Sequence, residues 1–142
     1  MTCRPCNKRM EVFFRILLVL YIIGVAFLCF ATFDQTVPTL KWTLFDIPSD
    51  KLGHFLMFLP FPVLCFFSFP YRGVRLLPCL LSVLAIFAVG AAFAGATELI
   101  QGWLPKRKAD LYDFQADFLG LCVSAVPVFC LAVYLLIRRR HA

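Results

Sequence analysis

The chain has 142 residues, of which 62% are hydrophobic and only 15% charged, and its formal net charge is +6. That is too little polar side chain to cover a water-soluble globule, so the composition points to a single compact integral membrane domain. The positive balance comes from short groups of bases beside apolar runs rather than from a basic domain, which argues against nucleic-acid binding and fits anionic lipid heads.

Residues 1–11 form a basic N-terminal segment, and an apolar run from Val12 to Phe33 follows it. Bases before an apolar run resemble a signal peptide, but no A-x-A site follows and the run is as long as a membrane span, so it is expected to remain as an anchor. Cys29 is preceded by the bulky Leu28, a poor match to a lipoprotein cleavage box. Cys3-Arg-Pro-Cys6 has the spacing of half a zinc site, with no second pair nearby, and the remaining cysteines fall in apolar runs where a thiol acts as a small hydrophobe.

Three further runs, Leu52 to Phe69, Leu76 to Ile100 and Leu111 to Ile137, each have the roughly 17–25 residues that crossing a bilayer requires. Only helices satisfy the backbone over such runs, so the expected fold is all-α, with four transmembrane helices in one domain over residues 12–137 and a basic tail at 138–142. Pro60 and Pro62 predict a kink or break halfway along the second span, and Pro127 a bend in the fourth. Pro78 suits a helix first turn, and Asp110 an N-cap. The longest connection runs from Asp34 to Ser49.

Orientation follows from the bases. Arg4, Lys8, Arg9, Arg15, Arg72, Arg75, Arg138, Arg139 and Arg140 fall on one side of the expected spans, and Lys41, Lys51, Lys106, Arg107 and Lys108 on the other. Nine against five places both termini in the cytoplasm, and the second group faces outward. Trp42 and Trp103 then lie at the outer interface, where indole rings anchor helices.

The segment from Glu98 to Gly120 crowds acids, bases and two glutamines between two spans. An ionisable group at membrane depth costs about 2.5–3.5 kcal/mol on insertion scales, so such residues are functional candidates. Glu98 and Gln101 stand three apart at the end of the third span, Asp50 and His54 four apart at the start of the second, and Asp110, Asp113 and Asp117 three and four apart at the start of the fourth. Each group shares a helix face, so three helix ends should converge. Arg107 is expected at the centre, since its guanidinium can hold a carboxylate and still offer donors to an anion, with Lys51, Lys106 and Lys108 adding positive potential. The duller alternative is a latch from Arg107 to Asp113 or Glu98 that only fixes helix packing.

Asp50-Lys51-x-x-His54 opening one span, Glu98-x-x-Gln101 closing another, then Pro105-x-Arg107, Asp113 and Gly120, resembles the VanZ-like family of small membrane proteins. The likeness extends from Asp50 to about Ser124, with Asp117 where the family usually has Asn and Phe58 where Tyr is common. It implies a role in the cell envelope, in the cytoplasmic membrane, including reduced susceptibility to teicoplanin-type glycopeptides, and brings no established reaction.

Three functions fit these residues. The cluster can bind the phosphate or sugar end of an isoprenoid-linked wall precursor or another lipid head, with Lys51, Arg107 and Lys108 on the phosphate and the carboxylates on hydroxyls; Asp50, Gln101 and Asp117 are counted among the binding residues. It can act on such a lipid as an enzyme, with His54 or Glu98 as general acid or base and Asp113 orienting it. No nucleophile and no complete metal-ligand set stands out, although Glu98, Asp113, Asp117 and His54 could hold a divalent cation if they meet. A scaffold or small proton-coupled carrier is the third reading. Gly90 to Ala96 offers a small-residue face for close packing within the chain or in a homodimer.

Overall fold

The computed structural model describes residues 7–30, 43–44, 47–69, 76–104 and 109–140. They form α1 (Lys8–Phe30), β1 (Thr43–Leu44), β2 (Ile47–Pro48), α2 (Ser49–Phe58), α3 (Phe61–Ser68), α4 (Leu76–Trp103) and α5 (Leu111–Arg140). The fold is all-helical apart from β1 and β2, a two-residue antiparallel pair that leads into α2. Four stretches, Lys8–Phe30, Asp50–Ser68, Leu76–Trp103 and Leu111–Arg138, are long and apolar enough to cross a membrane.

The first span begins earlier than its apolar run. The Asn7 carbonyl accepts the backbone N–H groups of Met10 and Glu11, so the helix winds through the polar turn before Val12. At its other end α4 runs on to Trp103, because Glu98 and Gln101 extend the same buried stripe as Val83, Gly90 and Ala94. Pro78 lies in the first turn of α4, as expected, and Pro127 lies inside α5.

The prolines divide the second span. α2 stops at Phe58 and α3 restarts at Phe61, with Pro60 and Pro62 at the join. A proline lacks the N–H a helix needs, so carbonyls just before the break lose their partners. Tyr21 of α1 supplies one, its hydroxyl donating to the Met57 carbonyl at 2.5 Å. At the end of α3 the Arg15 guanidinium donates to the Ser68 carbonyl at 2.9 Å. Both bonds tie α1 to the broken span.

α5 is the central element: α2 and α4 pack chiefly on it, while α1 packs on α3. One core joins Val25, Phe58, Phe61, Ala94 and Leu121, and a second joins Phe66, Cys79, Val83, Val128 and Ala132 nearer the other end. The small-residue stretch works inside the chain, with Gly90 against Leu121 and Phe61 and Ala94 fully buried. Gly120 marks the closest helix approach: a Cβ there would collide with the Phe55 carbonyl oxygen of α2. Phe13, Ile16, Leu20 and Phe27 of α1, Leu81 and Val89 of α4, and Val126 of α5 point outward and exposed, as side chains facing lipid would.

Candidate functional site

α2 begins, α4 ends and α5 begins at the same end of the bundle. Their polar residues continue the faces that elsewhere bury apolar side chains. Along α5 the buried face reads Asp113, Asp117, Leu121, Ser124, Val128 and Ala132, and along α2 Phe58 lies one turn below His54. Each acid is thus carried inward by the packing that buries the hydrophobes beneath it. His54, Glu98, Gln101, Asp113 and Asp117 are all buried, Asp117 completely at 0% exposure.

His54 stands at the centre. Its Nδ1 lies 3.1 Å from Asp117 Oδ1 and 3.8 Å from Glu98 Oε1, and its Nε2 lies 3.8 Å from Asp113 Oδ2. Only the Asp117 contact has hydrogen-bond geometry. The imidazole is therefore bracketed by carboxylates from α4 and α5. Glu98 Oε2 accepts the backbone N–H of Asp110 at 3.2 Å, while Glu98 Oε1 and Asp117 Oδ2 are buried with no hydrogen-bond partner.

Lys51 forms the outer edge of the cluster. Its ammonium reaches Asp113 Oδ1 at 3.0 Å and Asp110 Oδ2 at 3.3 Å, joining α2 to the start of α5. It also lies 5.2 Å from the centre of the Tyr112 ring, a cation–π contact on a residue that sequence reading passed over. The base beside Asp113 is thus Lys51, a residue expected to add positive potential and to contact a phosphate rather than to pair with Asp113. Asp50 is exposed on the same side. Arg107 and Lys108, with Lys106, lie outside the described residues, and so does any bond from Arg107 to Glu98 or Asp113.

Asp110 caps α5 as its place before an apolar run predicts, its Oδ1 accepting the Tyr112 N–H at 2.9 Å. That backbone bond, together with the Lys51 ammonium, holds the Asp110 carboxyl below its ordinary range. Gln101 faces away from the histidine: its amide donates to the Cys29 carbonyl at 3.1 Å and anchors the end of α4 to that of α1. Of the sequence-derived candidates, then, His54, Glu98, Asp113 and Asp117 converge as an inner group with Lys51 and Asp50 beside it, and Gln101 serves packing.

Two features could have been read only with difficulty. Ser124 lies about one turn beyond Gly120 with its hydroxyl buried and without a hydrogen-bond partner among the described residues, beside a shallow apolar hollow of about 380 Å³ lined by Leu59, Pro60, Val63, Val123 and Pro127. The prolines are its signal, because the hollow lies where the α2–α3 join and α3 face α5. Val123 is six residues beyond Asp117, so the hollow begins about 9 Å deeper along the helix.

Compared with protein-family models, curated proteins and solved structures, the chain matches none of them. The assignment of the site therefore rests on its own geometry.

Proposed function

We propose that the chain is a VanZ-like membrane protein of the cell envelope, lying in the cytoplasmic membrane with both termini inside, whose outward-facing cluster binds or processes the polar head of a lipid-linked wall precursor. One observation carries the reading of this end as a working site. Glu98 Oε1 and Asp117 Oδ2 are buried beside His54 with no hydrogen-bond partner among the described residues. Buried polar atoms in a finished structural contact are almost always paired, so oxygens left over at membrane depth mark a place that receives something.

The surroundings suit a lipid. Lys51 at the rim offers a cation to a phosphate, the sequence adds Lys106, Arg107 and Lys108 just before Asp110, and the apolar hollow below offers a surface for the first part of a chain. His54 between Glu98, Asp113 and Asp117 is placed to exchange a proton with a bound head group. A glycopeptide-related phenotype is what the family resemblance implies for such a site.

A non-catalytic scaffold is the second reading, favoured by the bonds that join helices here: Lys51 to Asp110 and Asp113, and Gln101 to Cys29. Cells carrying Glu98→Gln or His54→Gln separate the two when teicoplanin susceptibility and protein abundance are measured together. A working site loses the phenotype at normal abundance. If the phenotype survives both changes, or falls only as the protein disappears, the scaffold reading replaces it.

A further inference from the structure

The inner carboxylates create an electrostatic problem that the described side chains do not solve. Glu98, Asp113 and Asp117 surround one imidazole, and Lys51, the nearest ammonium among the described residues, is engaged by Asp113 and Asp110 on the outer side. Glu98 and Asp117 thus face each other across His54, whose imidazole can carry at most one positive charge against their two negative ones. Each keeps a buried oxygen with no hydrogen-bond partner among the described residues, on residues 6% and 0% exposed. Like charges that close in a low-dielectric setting need a counter-cation or a proton.

We propose that His54, Glu98 and Asp117 form a binding site for a divalent transition-metal ion of the zinc class, an inference that rests on the reading of these inner carboxylates as a working site. One ligand atom from each residue lies within 4.8 Å of the others. Two edges of that triangle, 3.1 Å from His54 Nδ1 to Asp117 and 3.8 Å from Nδ1 to Glu98, bracket the spacing a tetrahedral ion imposes, about 3.4 Å for bonds of about 2.1 Å. Small side-chain rotations close the remaining edge. The ligands come from α2, α4 and α5, so the ion would join the three helices that meet at this end.

The donor set selects the ion. An imidazole nitrogen with two carboxylates suits zinc, manganese or ferrous iron better than magnesium or calcium, which prefer oxygen alone. With Nδ1 on the metal, the remaining ring N–H is at Nε2, and Asp113 Oδ2 lies 3.8 Å from it, one short movement from the carboxylate–histidine bond that orients metal-binding imidazoles. Asp113 is then a positioning residue, held from behind by Lys51. A second set, Asp50, His54 and Asp113, also lies within 4.8 Å, but Asp50 is exposed and Asp113 already has its cation, so the inner set is the better site. A bound divalent ion would also turn a net-negative centre into one able to accept a phosphate.

The test uses the full chain purified in detergent, stripped with a chelator and titrated with zinc, then manganese, each in excess magnesium. The expected result is one zinc per chain by elemental analysis, and a melting temperature several degrees higher with metal. Glu98→Gln and Asp117→Asn keep the shape and remove a charged ligand. Both should fold without metal at least as stably as the parent and bind zinc more than about 100-fold more weakly, whereas Asp113→Asn, which removes only the orienting partner, costs about 10–100-fold. Asp50→Asn should leave zinc affinity within about twofold of the parent, since the outer set is not the proposed site. Substoichiometric metal and an unchanged melting temperature overturn the inference and leave protons to relieve the carboxylates. Loss of zinc in Asp50→Asn overturns it in favour of the outer set. If Glu98→Gln abolishes the cellular phenotype while the parent binds no metal, the ion falls and the working site stands. If both ligand variants lose zinc without changing the phenotype, the ion stands and the envelope reading falls.

Discussion

The two ends of the bundle handle buried polarity in opposite ways. At the end where α3 stops, Ser68 donates to the Leu64 carbonyl at 2.6 Å, the Ser68 carbonyl accepts from Arg15, and Phe66, Cys79, Val83, Val128 and Ala132 fill the interior. At the end where α2 starts, the same helices carry His54, Glu98, Asp113 and Asp117 into the core and leave two carboxylate oxygens without hydrogen-bond partners. One end is built chiefly for packing, although Glu11 in the first turn of α1 is also buried there, and the other gives up packing to gather His54 and three carboxylates. The middle, where Pro60 breaks the second span and Gly120 lets α5 approach α2, connects them.

If that contrast is right, mutations should behave differently along the axis. The largest loss is expected at the packed end: Phe66→Ala, at 2% exposure, should destabilise by about 3–5 kcal/mol in detergent unfolding. A comparable loss from Asp117→Asn would erase the distinction, since that change should be neutral or stabilising. In the middle, Gly120→Ala drives a methyl group into a backbone carbonyl that cannot rotate away and should cost about 1–3 kcal/mol, with Gly120→Val worse. Abundance in the membrane would report the same order.

At the polar end the effects on stability should be smaller. Lys51→Met leaves Asp113 and Asp110 without their shared ammonium and should cost about 1 kcal/mol, the upper range for an ion pair in contact with solvent. An effect as large as that of Phe66→Ala would mean that the cluster is chiefly a latch. The smallest effect belongs to Asp110→Ala, which removes the cap of α5 and lowers the melting temperature slightly. Its carboxyl titrates below its ordinary value of 3.8 in the folded chain, so its stabilising contribution is complete above that value and fades as pH falls through the lower folded value. A melting-temperature gap between parent and variant that persists at low pH would contradict this.

Much of this was legible before any coordinates. Long apolar runs leave helices as the only way to satisfy the backbone, and the four spans follow. Pro60 announced the break because a missing N–H is a local fact, and Asp110 announced a cap for the same kind of reason. Spacings of three and four put Glu98 with Gln101 and Asp113 with Asp117 on common faces, and these pairs share buried faces in the fold.

What the chain alone could not specify was who meets whom. Gln101 shares a face with Glu98 yet turns to the Cys29 carbonyl, because α1 stands beside that part of the stripe. Lys51, two helices removed in sequence, reaches Asp113, and Tyr21 finds the carbonyl left by the proline break. Periodicity along one helix is set by its own residues, whereas the distance between helices is set by how closely their small and large side chains let them approach, as Gly90 and Gly120 do here. The sequence by itself therefore determined the spans, the break and the end at which charge collects; only the tertiary structure decided that His54 would stand among three carboxylates, two of them with an oxygen to spare.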